Sequence, residues 1–147
     1  MSVNHSEISS FIWNVCDDVL RGLFKPHEYG DIILPFTVLR RLDCVLESHK
    51  DDVINLYKEY KSKVDDPTPI ILNKINTSFF NHSQYDLNRL KQDSQNVHMN
   101  FQNYLGGFSE NVVEIVENFQ VEKPVQKLQK NNRLFQFIDK FTEIDLH

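Results

Sequence analysis

Apolar residues recur along most of this chain at intervals of three and four, the spacing that lines one stripe of a helix with 3.6 residues per turn. Asn4 and Glu7 stand in capping-box-like spacing, and Ile8, Phe11, Ile12, Val15, Val19 and Leu23 follow at helical intervals. This predicts an amphipathic helix that stops near Gly22 and Pro26. Trp13 lies off the stripe and is expected to pack on a neighbouring helix rather than to serve an interface. From Glu28 to Ser48, the residues Ile32, Phe36, Leu39, Leu42 and Leu46 share a face that Ile33, Val38 and Val45 widen, the mark of a central helix. Pro35 either starts that helix or bends a longer one, and the bend is the favoured reading.

A third helix is expected over Asp51 to Lys63, followed by a loop at 65–69, where Pro67 and Pro69 disfavour helix. Within residues 70–86, Ile70, Ile71, Leu72 and Ile75 can start a short helix, while Thr77-Ser78-Phe79-Phe80 is equally compatible with an extended segment. Helical spacing returns at Asp86 to Leu90 and at Asn96 to Leu105, where Gly106 and Gly107 end the element. Ser109 can cap a helix carrying Val112, Val113, Val116 and Phe119. Pro124 is expected to break the chain, with Val125 and Leu128 in a short turn before a last helix bearing Leu134, Phe135, Ile138 and Phe141. The fold class that follows is all-α: an irregular bundle of about seven or eight helices, with room for a short extended segment near residues 76–85.

Composition narrows the function. A single domain of 147 residues with eleven Phe and 40% hydrophobic residues can bury a core, which excludes disorder over the whole chain. No apolar run approaches the roughly 20 residues that span a bilayer, and the N-terminus has neither a basic region nor an apolar one. A cytoplasmic address without membrane contact is therefore expected. Cys16 and Cys44 read as buried free thiols, and six His without paired Cys/His spacing give no zinc pattern. The four glycines, Gly22, Gly30, Gly106 and Gly107, form no GxG turn, so no cofactor cradle of the Rossmann type is expected. Adjacent carboxylates at 17–18, 51–52 and 65–66 diverge around a helix and read as solvated edges or caps.

The net charge is −5, and no block of the chain is strongly basic, so phosphate binding would have to come from a local patch. Arg21 and Lys25 stand four apart, Arg40 and Arg41 are adjacent in the second helix, and Lys123, Lys127, Lys130 and Arg133 recur every three or four residues. On charge pattern alone a solvated or ion-paired face is favoured for each, for example Arg41 with Glu28 or Asp43. These eight residues are the candidates for DNA contact.

Longer blocks carry a resemblance. Phe11-Ile-Trp13, Leu20-Arg21-Gly22, Glu28-Tyr29, Ile33-Leu34-Pro35 and Leu39-Arg40-Arg41-Leu42-Asp43 follow the order and spacing of the N-terminal helical domain of type I restriction-modification methylase (M) subunits. Phe80-Asn81-His82-Ser83, the run from Asn103 to Asn111, Asn132-Arg133-Leu134-Phe135 and the run from Phe141 to Leu146 look like the family's later blocks. The resemblance implies a subunit that methylates adenine N6 in DNA with S-adenosylmethionine. Its implied partners are double-stranded DNA, a specificity subunit, a restriction subunit and a second methylase subunit. Residues 1–147 then form one helical domain, and the catalytic domain, with its glycine-rich and Asn-Pro-Pro-aromatic motifs, is expected after residue 147. The chain reads as an excised domain or a truncated gene product, with no catalytic, cofactor or metal residue of its own. The family further implies a part in assembling the complex, clamping DNA and reading methylation state, and the net charge of −5 predicts weak DNA binding by this domain alone. A stand-alone helical protein-interaction module without a DNA role is the alternative.

Overall fold

The computed structural model describes residues 5–144 and 146, so Asn4, read above as a cap, and Asp145 lie outside the described residues. Eight α-helices of eight residues or longer and one single turn follow in order. They are α1 (His5–Val15), α2 (Gly30–Leu46), α3 (Lys50–Tyr60), α4 (Thr68–Ile75), the turn α5 (Leu87–Leu90), α6 (Val97–Gly106), α7 (Glu110–Phe119), α8 (Glu122–Lys130) and α9 (Leu134–Phe141). Among the described residues there is no strand, only isolated bridges of Arg21 with Phe24 and of Asn81 with Phe108. The chain is the all-α bundle that its periodicity predicts. No helix among the described residues is long and apolar enough to cross a membrane.

The broad stripe of α2 makes it the central element, burying Ile32, Ile33, Phe36, Leu39 and Leu46. The helix runs through Pro35, which removes the bond to the Asp31 carbonyl and leaves the rest of the ladder in place. Phe36 is the hub of the core. It stacks on Phe101 of α6 at 5.4 Å between centroids and meets Phe137 of α9 edge-on at 4.8 Å. Phe141 lies 5.8 Å from Phe36 and receives Phe11 of α1 edge-on at 5.1 Å. Aromatic pairs of this kind contribute about 0.5–1.5 kcal/mol each beyond the area they bury. A smaller cluster of Val53, Ile71, Ile75 and Phe80 joins α3 to α4.

Three expectations are corrected. Trp13 does not pack on a neighbouring helix but is 67% exposed. Helix α1 turns Val15, Cys16, Val19 and Leu20 inward instead, and its end widens into a π-turn over Cys16–Leu20, closed by the Arg21 N–H on the Cys16 carbonyl at 3.0 Å. The 65–69 loop is shorter than expected, because α4 begins at Thr68 with Pro69 in its first turn, where a missing donor is harmless. Helix α4 ends at Asn76 in the left-handed region, and the non-helical segment that follows carries the isolated antiparallel bridge of Asn81 with Phe108, in keeping with the short extended segment expected near residues 76–85. Pro124 likewise sits in the first turn of α8, so residues 122–130 are a nine-residue helix rather than a short turn. The break falls at Gln120, whose φ of 51° ends α7.

A buried polar joint ties α2, α3 and α6 to the segment before α5. Asp43 of α2 accepts from the Tyr104 hydroxyl at 2.6 Å and from the Leu87 N–H at 2.8 Å. Lys50 donates to the Asn81 Oδ1 at 3.0 Å, and the Asn81 amide donates to the Tyr104 carbonyl at 2.9 Å. The His82 N–H then bonds the Gly107 carbonyl at 2.8 Å, so two chain segments pass backbone to backbone. A Cβ on Gly107 would meet the Ser83 nitrogen and Asn81 Oδ1 at 2.6 Å, whereas one on Gly106 would meet nothing within 4 Å.

The pair makes a controlled test. Gly107→Ala is expected to lower the unfolding free energy by about 1–3 kcal/mol, because backbone atoms cannot move aside. Gly106→Ala, at the end of α6, should be neutral or raise it by up to about 1 kcal/mol. Urea unfolding of both variants measures this, and equal midpoints would contradict the close approach.

Candidate nucleic-acid interface

Helix α8 buries Val125 and Leu128 on one side, and Lys123, Lys127 and Lys130 fall together on the opposite, exposed side. Spacings of four and three put these lysines one above another along about 10 Å of helix. That is the rise occupied by about three phosphates of one DNA strand. Lys123 and Lys130 have no carboxylate partner among the described residues. The Lys127 ammonium stands 4.8 Å from the centre of the Phe24 ring, which fixes α8 against the turn that follows α1.

The end of α8 explains where Arg133 goes. Asn132 adopts φ 59°, its N–H bonds the Gln129 carbonyl at 3.1 Å, and the Arg133 N–H bonds the Leu128 carbonyl at 2.8 Å. This is the Schellman pattern of a helix closed by a left-handed residue, a conformation that Asn tolerates. It sends the Arg133 guanidinium back to the carbonyls of Val19 at 2.8 Å and Arg21 at 3.1 Å. Two patches more than 100 residues apart in sequence thereby meet: Arg21 and Lys25 on one side, Lys127 and Arg133 on the other.

Carboxylates temper this surface. Arg21 pairs with Asp17 at 2.7 Å, both ends largely in solvent. Glu28 accepts from the Lys25 N–H at 2.8 Å, and this bond, helped by Lys127, His27 and Lys25, holds its carboxyl below the ordinary range. Lys123, Lys127, Lys130 and Lys25 remain the cations with exposed ammonium groups.

Arg40 and Arg41 lie apart from the other six candidates. The buried Arg40 guanidinium donates from Nε to the Ile144 carbonyl at 2.8 Å and from Nη2 to the Thr142 carbonyl at 3.3 Å. Arg41 is exposed and donates to the Leu146 carbonyl. Both guanidiniums close the end of α9 on α2. Neither Glu28 nor Asp43 pairs with Arg41: Asp43 serves Tyr104 and Leu87, and Glu28 serves Lys25. A cluster that charge pattern did not single out also appears, with Lys58 and Lys61 of α3 facing His82 across a pocket. Its lysines stand three apart in the sequence, but nothing local announces that the 82–84 segment folds onto them.

Among the described residues no group of three or more His, Cys, Asp or Glu is placed to hold a metal. Cys16 and Cys44 are both free and buried, and burial followed by the charge of Asp17 pushes the Cys16 thiol up. The sequence model of the family described as HsdM N-terminal domain matches residues 8–141. No curated protein and no solved structure matches the chain significantly.

The strongest perturbations of acidity lie inside the buried joint. Burial pushes the Asp43 carboxyl up to about 7 against the opposing bonds from Tyr104 and Leu87, and burial pushes Lys50 down to about 8. The void beside them, lined by Asp43, Lys50, Asn81 and Asp86, holds only about 10 Å³. That is room for at most one water and no substrate, so the pair is structural rather than catalytic. A protonated Asp43 can donate to the Tyr104 oxygen in place of accepting from it. Because the folded protein keeps this proton up to about pH 7 and the unfolded chain loses it near 4, the stability it confers is complete below about 4. It is then lost as pH rises to about 7. The stability difference between wild type and Asp43→Asn, measured by urea unfolding, should therefore shrink over that window. Taking the difference cancels His82, which burial holds below its ordinary value and which slopes the other way. A difference that does not change with pH would refute the assignment.

Proposed function

Because the chain belongs to the HsdM N-terminal domain family, the N-terminal domain of type I restriction-modification methylase subunits, we propose that it clamps double-stranded DNA with the exposed face of α8 and helps assemble the enzyme. In this reading the intact subunit is an S-adenosylmethionine-dependent adenine-N6 DNA methyltransferase. It works in the cytoplasm with a specificity subunit, a second methylase subunit and, for cleavage, a restriction subunit. Residues 1–147 are one helical domain, and methyl transfer falls to a catalytic domain beyond it. In this reading S-adenosylmethionine is held by that catalytic domain, at its own glycine-rich turn. Its chemistry therefore assigns no step to this chain.

The observation that carries the clamping role is the row of Lys123, Lys127 and Lys130, seated by the cation–π contact with Phe24 and flanked by Arg21, Lys25 and Arg133. Phosphate contacts of this kind hold and orient a duplex without reading its sequence. With a net charge of −5, the domain alone should bind DNA weakly and become useful once its partner subunits have positioned it. Support for the assembly role is the exposed indole of Trp13, beside a groove of about 670 Å³ walled by Ile12, Phe24, Tyr29 and Ile33. A contribution to reading methylation state belongs to the same proposal.

The test uses the assembled methylase on duplex DNA. Replacing Lys123, Lys127 and Lys130 by Gln should weaken binding at low salt and flatten the dependence of log affinity on log salt by about 2–3. Binding curves across a salt series give the slope. An unchanged slope would assign these lysines to solvent and favour a protein-interaction module without a DNA role.

A further inference from the structure

A second polar cavity, of about 430 Å³, opens between the C-terminal half of α3, the 82–84 segment and α6. Its polar lining consists of Tyr57, Lys58, Lys61, Ser83, Gln84 and Asn103, together with His82. No Asp or Glu lines it, although acidic residues outnumber Lys and Arg by 21 to 16 in the chain. We propose that this pocket binds a phosphate group, either of a small phosphate ester or of a nucleic-acid backbone.

The charges come from α3. Lys58 and Lys61 stand one turn apart on the pocket side, and neither pairs with a carboxylate among the described residues. Lys63, just beyond them, shows the ordinary alternative by reaching Glu59 at 3.9 Å. Basic residues in a last helical turn do complement the helix dipole. That role does not account for the opposite wall, which belongs to other elements and also presents donors. The Asn103 Oδ1 accepts from the Ser83 hydroxyl at 2.6 Å, which orients the amide and leaves its Nδ2 hydrogens without an acceptor among the described residues. The Gln84 side-chain amide has no hydrogen-bond partner among the described residues.

The pocket is also pre-built. The His82 ring lies parallel to Tyr57, with 3.6 Å between centroids and 4° between planes, and the His82 N–H is anchored on the Gly107 carbonyl. Lys61 stands 6.0 Å from the Tyr57 ring centre, on the same aromatic platform. The charged groups that act on His82 are Lys50 and Lys61, both cations, so the local field favours an anion. Two ammonium groups and two amides around a volume in the range of small-molecule sites suit a tetrahedral oxyanion. No carboxylate lines the pocket to balance a cation. The pocket shares no residue with the α8 face, so this inference stands or falls separately from DNA clamping by α8.

The experiment follows the backbone amides of the 147-residue chain by NMR at constant ionic strength during titration with inorganic phosphate, with adenosine monophosphate and with a short DNA duplex. Saturable shifts at His82, Ser83 and Gln84 are expected with at least one probe. Lys58→Gln combined with Lys61→Gln should weaken that binding roughly tenfold or more, and Lys74→Gln, on α4 and outside both the pocket and the α8 face, should leave it unchanged. Displacement of phosphate by duplex would assign the site to a nucleic-acid backbone. Tighter binding of the mononucleotide without competition from duplex would assign it to a small phosphate ester. Absence of saturable shifts at these amides with all three probes, or equal affinity in the double variant, would overturn the proposal.

Discussion

The carboxyl of Asp43 takes hydrogen bonds from two groups that the chain reaches only 44 and 61 residues later, and the register of α2 against the rest of the bundle depends on it. Apolar burial is non-directional: the ring cluster around Phe36 favours closeness but tolerates a helix sliding or turning by part of a residue. A buried carboxyl does not, because an unmatched donor or acceptor in the interior costs about 1–3 kcal/mol. No buried side-chain polar atom among the described residues lacks a partner. The same logic extends outward through Lys50, Asn81 and the Tyr104 carbonyl to the close passage at Gly107. Packing supplies the stability of the bundle, and this joint selects which of several similar packings it adopts.

Charge is arranged on a different principle from the core. An acidic chain would repel DNA if its carboxylates were spread evenly, yet α8 carries its lysines on the face opposite Val125 and Leu128. Its one well-placed acid, Glu122, is turned to the side, toward His98 at 3.1 Å and Gln102 at 3.0 Å. Several other cations are tied into internal pairs, such as Lys140 with Asp18 at 3.3 Å and Lys91 with Asp139 at 3.4 Å. Such partly exposed pairs add little to stability. Their effect is on the field: they neutralise cations elsewhere, while the lysines of the α8 row and of the α3 pocket have no carboxylate partner among the described residues.

Most of the fold was legible because each long helix carries its own stripe: α2, α6, α7 and α9 lie where the three- and four-residue spacing puts them. The failures were local and share a cause. Pro69 and Pro124 were read as breakers, but a proline in a first turn breaks nothing, and only the position of the helix start separates the two cases. Trp13, off the apolar stripe, was given a neighbouring helix to pack on, and among the described residues it is left exposed. Of the candidate cations, the α8 row was visible from its spacing. The separation of Arg40 and Arg41 from the rest was not, because their partners are carbonyls at residues 142–146, and backbone acceptors leave no mark in a sequence. The joining of Arg21 to Arg133 was hidden for the same reason, whereas the meeting of α3 with His82 is a stack of two rings 25 residues apart that no local spacing announces.

That hidden joining bears on what a weakly basic surface can do. An isolated lysine row loses side-chain freedom for every phosphate it holds, and a helix free to rock would lose orientation as well. Here the Schellman turn at Asn132 directs Arg133 onto the carbonyls left open at the end of the π-turn, and Lys127 lies on Phe24 of the same turn. Two contacts about one and a half helical turns apart therefore fix both the position and the rotation of α8 before any ligand arrives. The π-turn itself contributes, since its extra residue leaves the Val19 and Arg21 carbonyls available where an α-helical end would present a different set. A domain of overall negative charge can in this way hold a small positive face in a set orientation, which suits phosphates delivered by a larger assembly better than phosphates captured from free solution.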